Sequence, residues 1–190
     1  MSGRQSPIDI PPTAPVHRAG LDLPYGTIPL VLGQNPLAIQ VDCTREVGVV
    51  LGGRPYALVQ FHLHCPAEHT LAGVGAAMEL HLVHEATDGE LAVVGVRFEE
   101  GPANPAIGAL TKALAGSATP QEIDLAALLP AERAHVAYVG SLTAPPYTDG
   151  VAWRVLLQAN TLSPAQLHAL RAVHDGNNRA LQPGGQEAFD

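Results

Sequence analysis

The chain has almost no lysine. Lys112 stands alone against nine arginines, and the formal charge of the 190 residues is −8. No basic stripe is available to neutralise a phosphate backbone, which argues against a nucleic-acid partner. Long apolar runs are lacking as well. None approaches the roughly 20 residues needed to cross a bilayer, and the N-terminus MSGRQSPIDI has no apolar core of a signal peptide. Cysteine is scarce: Cys43 and Cys65 are the only two, enough for at most one disulfide whose geometry spacing alone leaves open.

What the chain has in plenty is turn chemistry. Seventeen prolines and nineteen glycines imply many short elements joined by turns rather than a helical bundle. The length suits one domain over residues 1–190 that buries a core without staples. Residues 47–52, 56–64, 78–84, 91–98 and 151–157 are short alternating or β-branched runs bounded by Gly, Pro and Asp, and each is expected to be a strand. Asn104-Pro105 opens a helix over 104–115, and the capping box Ser163–Gln166 opens a second that Asp175-Gly176 ends. The first 30 and last 16 residues have no period, so they are expected to wrap the surface as coil or to fray.

The histidines carry the chemistry. In Gln60-Phe61-His62-Leu63-His64 the strand period of two puts Gln60, His62 and His64 on one face. The two imidazole roots are then about 6.6 Å apart and can converge on one ion. In Met78-Glu79-Leu80-His81-Leu82-Val83-His84 the same rule groups Glu79, His81 and Val83, so a neighbouring antiparallel strand can present His81 as a third ligand. Three neutral imidazoles leave a fourth position on zinc open to water, the arrangement of a hydrating or hydrolytic site. Gln60 and Glu79, each two residues before a ligand, are placed to accept from the outer ring nitrogens. Any one of these histidines taken alone reads as a polar core residue.

Seven segments, QSPIDI at 5–10, QFHLHCPAEHT at 60–70, MELHLVH at 78–84, LAVVGV at 91–96, YVGSLTAPP at 138–146, VAW at 151–153 and NNRALQP at 177–183, run in the order of an alpha-class carbonic anhydrase. The chain resembles a short, bacterial-type member of that family from Gln5 to Pro183. The resemblance implies a mainly β fold with a large twisted, mostly antiparallel central sheet and a few short surface helices. It also implies a Zn2+ cofactor and reversible hydration of carbon dioxide to bicarbonate and a proton, by attack of a zinc-bound hydroxide.

Position by position, His62, His64 and His81 match the zinc ligands, and Gln60 and Glu79 their outer acceptors. Thr143 matches a gatekeeper threonine and Glu68 the carboxylate that takes its proton. That pairing makes chemical sense, because the hydroxyl can accept from the nucleophile only when its own proton is committed elsewhere. His69 and Tyr138 match a buried polar pair. Val83, Val93, Leu142, Val151 and Trp153 match the apolar wall beside which carbon dioxide rests, although each alone is an ordinary core residue. Asn177 and Arg179 match a structural C-terminal motif and are left out of the site.

The chain departs from the pattern at Leu37, which falls where fast members carry a proton-shuttle histidine; His17 is the only upstream alternative. Leucine cannot carry a proton, so turnover is expected to depend on buffer. Cys65 and Ala144 replace a tryptophan and a polar residue, and Tyr147 stands where many secreted members have a cysteine, so their disulfide is absent. Bacterial members are often exported and dimeric, which implies a periplasmic or secreted location and leaves a homodimer open. Three other readings compete: a non-catalytic carbonic-anhydrase-like module that binds zinc or a partner, a zinc hydrolase acting on an ester, and a β domain with no metal.

Overall fold

The computed structural model describes residues 4–19, 21–44, 46–117, 121–184 and 189. In chain order its elements are β1 (Asp9–Ile10), β2 (Thr27–Pro29), β3 (Val31–Leu32), β4 (Ile39–Asp42), β5 (Gly48–Leu51), β6 (Arg54–His64), β7 (Thr70–Leu71), β8 (Met78–Glu85), β9 (Leu91–Glu100), α1 (Pro105–Leu114), β10 (Glu122–Asp124), β11 (His135–Ser141), β12 (Asp149–Leu156), β13 (Asn160–Leu162) and α2 (Pro164–Arg171). The five expected strands and both helices are present. Asn104 caps α1 by accepting from the Ala106 and Ile107 amides, and the Ser163–Gln166 capping box closes the start of α2.

Among the described residues nine strands form one sheet, ordered β11-β12-β9-β8-β6-β4-β3, with β13 added on β9 and β5 on β6. It is mixed: β12 and β13 both run parallel to β9, while the β4, β6, β8 and β9 neighbours are antiparallel. A parallel neighbour needs a crossover connection, and the stretch carrying α1, β10 and β11 supplies it between β9 and β12.

Two apolar clusters hold the sheet. The larger joins Phe61, Leu63, Leu80, Leu82 and Phe98 to the buried faces of the helices through Ile107, Leu110, Leu167 and Leu170. The smaller gathers Ile8, Ile10, Val83, Val93, Val151 and Trp153. Ile8 and Ile10 belong to the first 30 residues, so the expectation of surface coil there is corrected. Leu21, Leu23 and Tyr25 alternate into the core, and β1 and β2 pair with β7 and β10. Residues 1–3, 20, 185–188 and 190 lie outside the described residues.

Candidate metal centre

Antiparallel pairing of β6 with β8 sets His62 directly opposite His81 and His64 opposite Glu79. The period of two then brings the three imidazoles to one face, with ring centroids 4.7 to 5.2 Å apart. One ligand atom from each of His62, His64 and His81 lies within 4.8 Å of the other two.

Each ring is oriented from behind. His62 Nδ1 lies 2.9 Å from Gln60 Oε1, His64 Nδ1 lies 3.1 Å from the Asn177 carbonyl, and His81 Nε2 lies 3.0 Å from Glu79 Oε1. Those partners accept only, so the ring nitrogens donate. The lone pairs are left on Nε2 of His62, Nε2 of His64 and Nδ1 of His81. His64 Nε2 is buried with no partner among the described residues, which is costly unless something fills the space it faces. A donor set of three neutral imidazoles with one position left over fits zinc.

The electrostatics keep two of these imidazoles available to a metal. Burial, then the neighbouring imidazoles, pushes His62 well below the ordinary histidine value. Burial and His81 bring His64 down to about 3, so both are unprotonated at neutral pH, as a ligand must be. His81 differs: burial pushes it down, but the Glu79 carboxylate more than offsets that and holds it above the ordinary value. Glu79 itself stays well below the usual carboxylate range despite complete burial, because His69 and His81 hold its charge.

His69, Glu79 and His81 form a second close group, accounted for by their own hydrogen bonds. Glu79 Oε1 lies 2.7 Å from His69 Nδ1, and Glu79 Oε2 accepts from the Glu68 and His69 amides. The β9 residue opposite His81 is Gly95, where a Cβ would stand 3.0 Å from Glu79 Oε1. Glycine there leaves that carboxylate the room it occupies.

Glu68 is fully buried as a side chain and takes the Arg179 amide on Oε1 at 2.7 Å. Burial raises its pKa, while His81, that amide and the Thr143 hydroxyl draw it back down. Glu68 Oε2 makes no hydrogen bond among the described residues and lies 3.8 Å from His81 Nδ1.

The three imidazoles open into a cleft of about 470 Å³ that Val83, Val93, Leu142, Thr143 and Trp153 also line. Val151 is fully buried in the cluster behind and does not line it. Leu37 does line it and is 55% exposed. His17 stacks instead on His135 at the outer edge of β11 and does not line the cleft. Both cysteines are free.

Asn177 and Arg179 touch the centre although the motif reading set them aside: one holds His64, the other Glu68. Both act there through backbone atoms, which carry no side-chain signature. Ser6 was missed as well; its Oγ lies 2.8 Å from the Tyr138 hydroxyl.

The eukaryotic-type carbonic anhydrase family matches residues 2–184. The chain belongs to the carbonic anhydrase family. Among its relatives, a carbonic anhydrase of Klebsiella pneumoniae is 40% identical over 187 residues, covering 94% of this chain and 76% of that one. The alpha-carbonic anhydrase of Thermovibrio ammonificans, solved with the inhibitor sulfanilamide, superposes with a TM-score of 0.83. It is 35% identical, and the match covers 95% of this chain and 83% of that one. Dioscorin in complex with ascorbate is also similar, at 29% identity and a TM-score of 0.86 over 97% of this chain and 83% of that one. As a family member of this fold, the chain is a carbonic anhydrase in the alpha-class architecture.

Proposed function

We propose that the chain catalyses reversible hydration of carbon dioxide to bicarbonate and a proton, with zinc held by His62, His64 and His81. The observation that carries this reading is the set of three imidazoles, each tied through its outer nitrogen and with ligand atoms within 4.8 Å of one another, lining an apolar-walled cleft. A zinc ion held there would supply a Lewis acid that brings the pKa of bound water down from that of bulk water to about 7.

The remaining work falls to the chain. Thr143 lines the cleft beside the imidazoles, and turning its hydroxyl proton onto the unbonded Glu68 Oε2 would leave a lone pair to orient the nucleophile. Glu68 can accept because the Arg179 amide already holds one of its oxygens. Val83, Val93, Leu142 and Trp153 offer carbon dioxide, which has no charge and no donor, a surface from which water is readily displaced. Gln60, Glu79 and the Asn177 carbonyl keep the rings in the tautomers that face the metal.

Export of the proton is left to solvent and buffer. Apart from the three histidines, the ionisable side chains lining the cleft among the described residues are Tyr147 and Arg179, neither of a type that exchanges protons near neutrality. Stopped-flow carbon dioxide hydration on protein of measured zinc content tests the reading, beside His81→Ala. Hydration that disappears with His81 is expected. A wild-type protein that is full of zinc yet inert would leave a binding module in its place.

A further inference from the structure

We infer that Ser6 is a positioning residue that ties the His81 side of the centre to the backbone carrying Thr143. The inference rests on the reading of the metal centre given above.

A continuous line of hydrogen bonds leaves the centre from His81 Nε2. It passes to Glu79 Oε1 (3.0 Å), His69 Nδ1 (2.7 Å), from His69 Nε2 to the Tyr138 hydroxyl (2.6 Å), and on to Ser6 Oγ (2.8 Å). There it closes on Ser141 in both directions: the Ser6 amide donates to Ser141 Oγ at 3.0 Å, and the Ser141 amide donates to Ser6 Oγ at 3.1 Å. Ser141 stands two residues before Thr143, and its Oγ donates to the Leu142 carbonyl at 2.8 Å. Ser6, His69, Glu79, His81, Tyr138 and Ser141 are all buried.

The polarity of the line is determined. Ser6 Oγ accepts from the Ser141 amide and its own proton goes to the Tyr138 oxygen, so Tyr138 donates to His69 Nε2, and His69 donates from Nδ1 to Glu79. Each hydroxyl proton has one direction available, and a fully satisfied buried network of this kind specifies a single arrangement.

Two further features converge on Ser6. At Gly140, between Tyr138 and Ser141, a Cβ would collide with Ser6 Oγ and stand 2.7 Å from the Tyr138 ring, so the strand is kept bare where the serine enters. Arg179 Nη1 donates to the Gln5 Oε1 and to the Ser6 carbonyl, at 2.9 and 2.6 Å, while its amide holds Glu68. The Gln5–Ser6 strap therefore supports both the backbone leading to Thr143 and the carboxylate that Thr143 serves.

Ser6→Ala strands the Ser141 amide and removes the hydrogen bond that the Tyr138 oxygen accepts, leaving Tyr138 tied to His69 alone, so the two halves of the centre lose their common register. The test uses the cobalt(II)-substituted full chain, whose visible absorption responds to the arrangement of its ligands. Ser6→Ala and Tyr138→Phe are compared with Ile107→Val, a core truncation remote from the centre that costs about 1 kcal/mol. We expect both network variants to shift the pH midpoint of the cobalt spectrum and to lower kcat/KM for hydration about tenfold, with Ile107→Val changing neither.

Network variants that lose stability as Ile107→Val does, while keeping the wild-type spectrum, midpoint and kcat/KM, would overturn the assignment. If Ser6→Ala does not fold, Tyr138→Phe decides on the same readouts. A wild-type protein with no hydration activity would contradict the functional reading, and the cobalt spectra would still decide the role of Ser6.

Discussion

His64 donates its Nδ1–H to the carbonyl of Asn177, 113 residues further along the chain, at 3.1 Å. The Asn177 side chain fixes that carbonyl in place. Its Oδ1 accepts from the Cys65 amide, and its Nδ2 donates to the Leu63 and Leu37 carbonyls. One asparagine thus binds both neighbours of His64 and His64 itself.

Replacing it should loosen the metal and the fold together. Asn177→Ala is expected to lower zinc affinity about tenfold and stability by about 2 kcal/mol, because a buried amide and carbonyl beside His64 lose their partners. Competition with a chelator measures the first, urea unfolding the second.

Glu79 joins two histidines and two amides, so its charge matters more than its shape. Glu79→Gln keeps the volume but gives the His81 and His69 rings a weaker acceptor and turns an NH2 toward one of its donors. We expect a loss of 10- to 100-fold in zinc affinity and about 3 kcal/mol in stability, read by the same two measurements.

What was legible in the sequence was what strand geometry makes local. His62 and His64, with Gln60, and His81, with Glu79, repeat every second residue, and that period alone selects the face. Pairing of β6 with β8 then needs only their antiparallel register. Asn177, Arg179 and Ser6 were not legible as parts of the centre, since they arrive from the two ends of the chain. Two of them contribute backbone groups that any residue possesses. The parallel placement of β12 beside β9 was hidden for a related reason, since it depends on a long crossover and not on the content of either strand.

Leu37 lines the cleft and is half exposed, yet it offers no proton acceptor. Hydration should therefore rise with imidazole concentration at fixed pH, and Leu37→His should raise kcat in dilute buffer severalfold while leaving kcat/KM nearly unchanged. Stopped-flow rates across a buffer series check this. Equal rates in dilute and concentrated buffer would show that another group exports the proton.

His84 lies on the face of β8 away from the centre, buried, with its Nε2 2.6 Å from the Tyr25 hydroxyl. Burial lowers its pKa from 6.5 to about 4. Below pH 6.5 the unfolded chain takes up a proton that the folded chain refuses, so stability falls as pH drops from about 6.5 to about 4 and then levels. The loss from this residue reaches up to about 3 kcal/mol. Urea unfolding across that window should show a shallower slope for His84→Gln than for wild type.

The central claim is that three histidines hold one zinc that carbon dioxide hydration requires. The most direct test is to strip the protein of metal, return zinc stepwise, and follow zinc bound and hydration rate on the same samples. The account predicts no activity in the stripped protein and a rate that climbs linearly to a plateau at one zinc per chain. A chain that binds one zinc and stays at the uncatalysed rate, or that hydrates carbon dioxide equally well without metal, would contradict it.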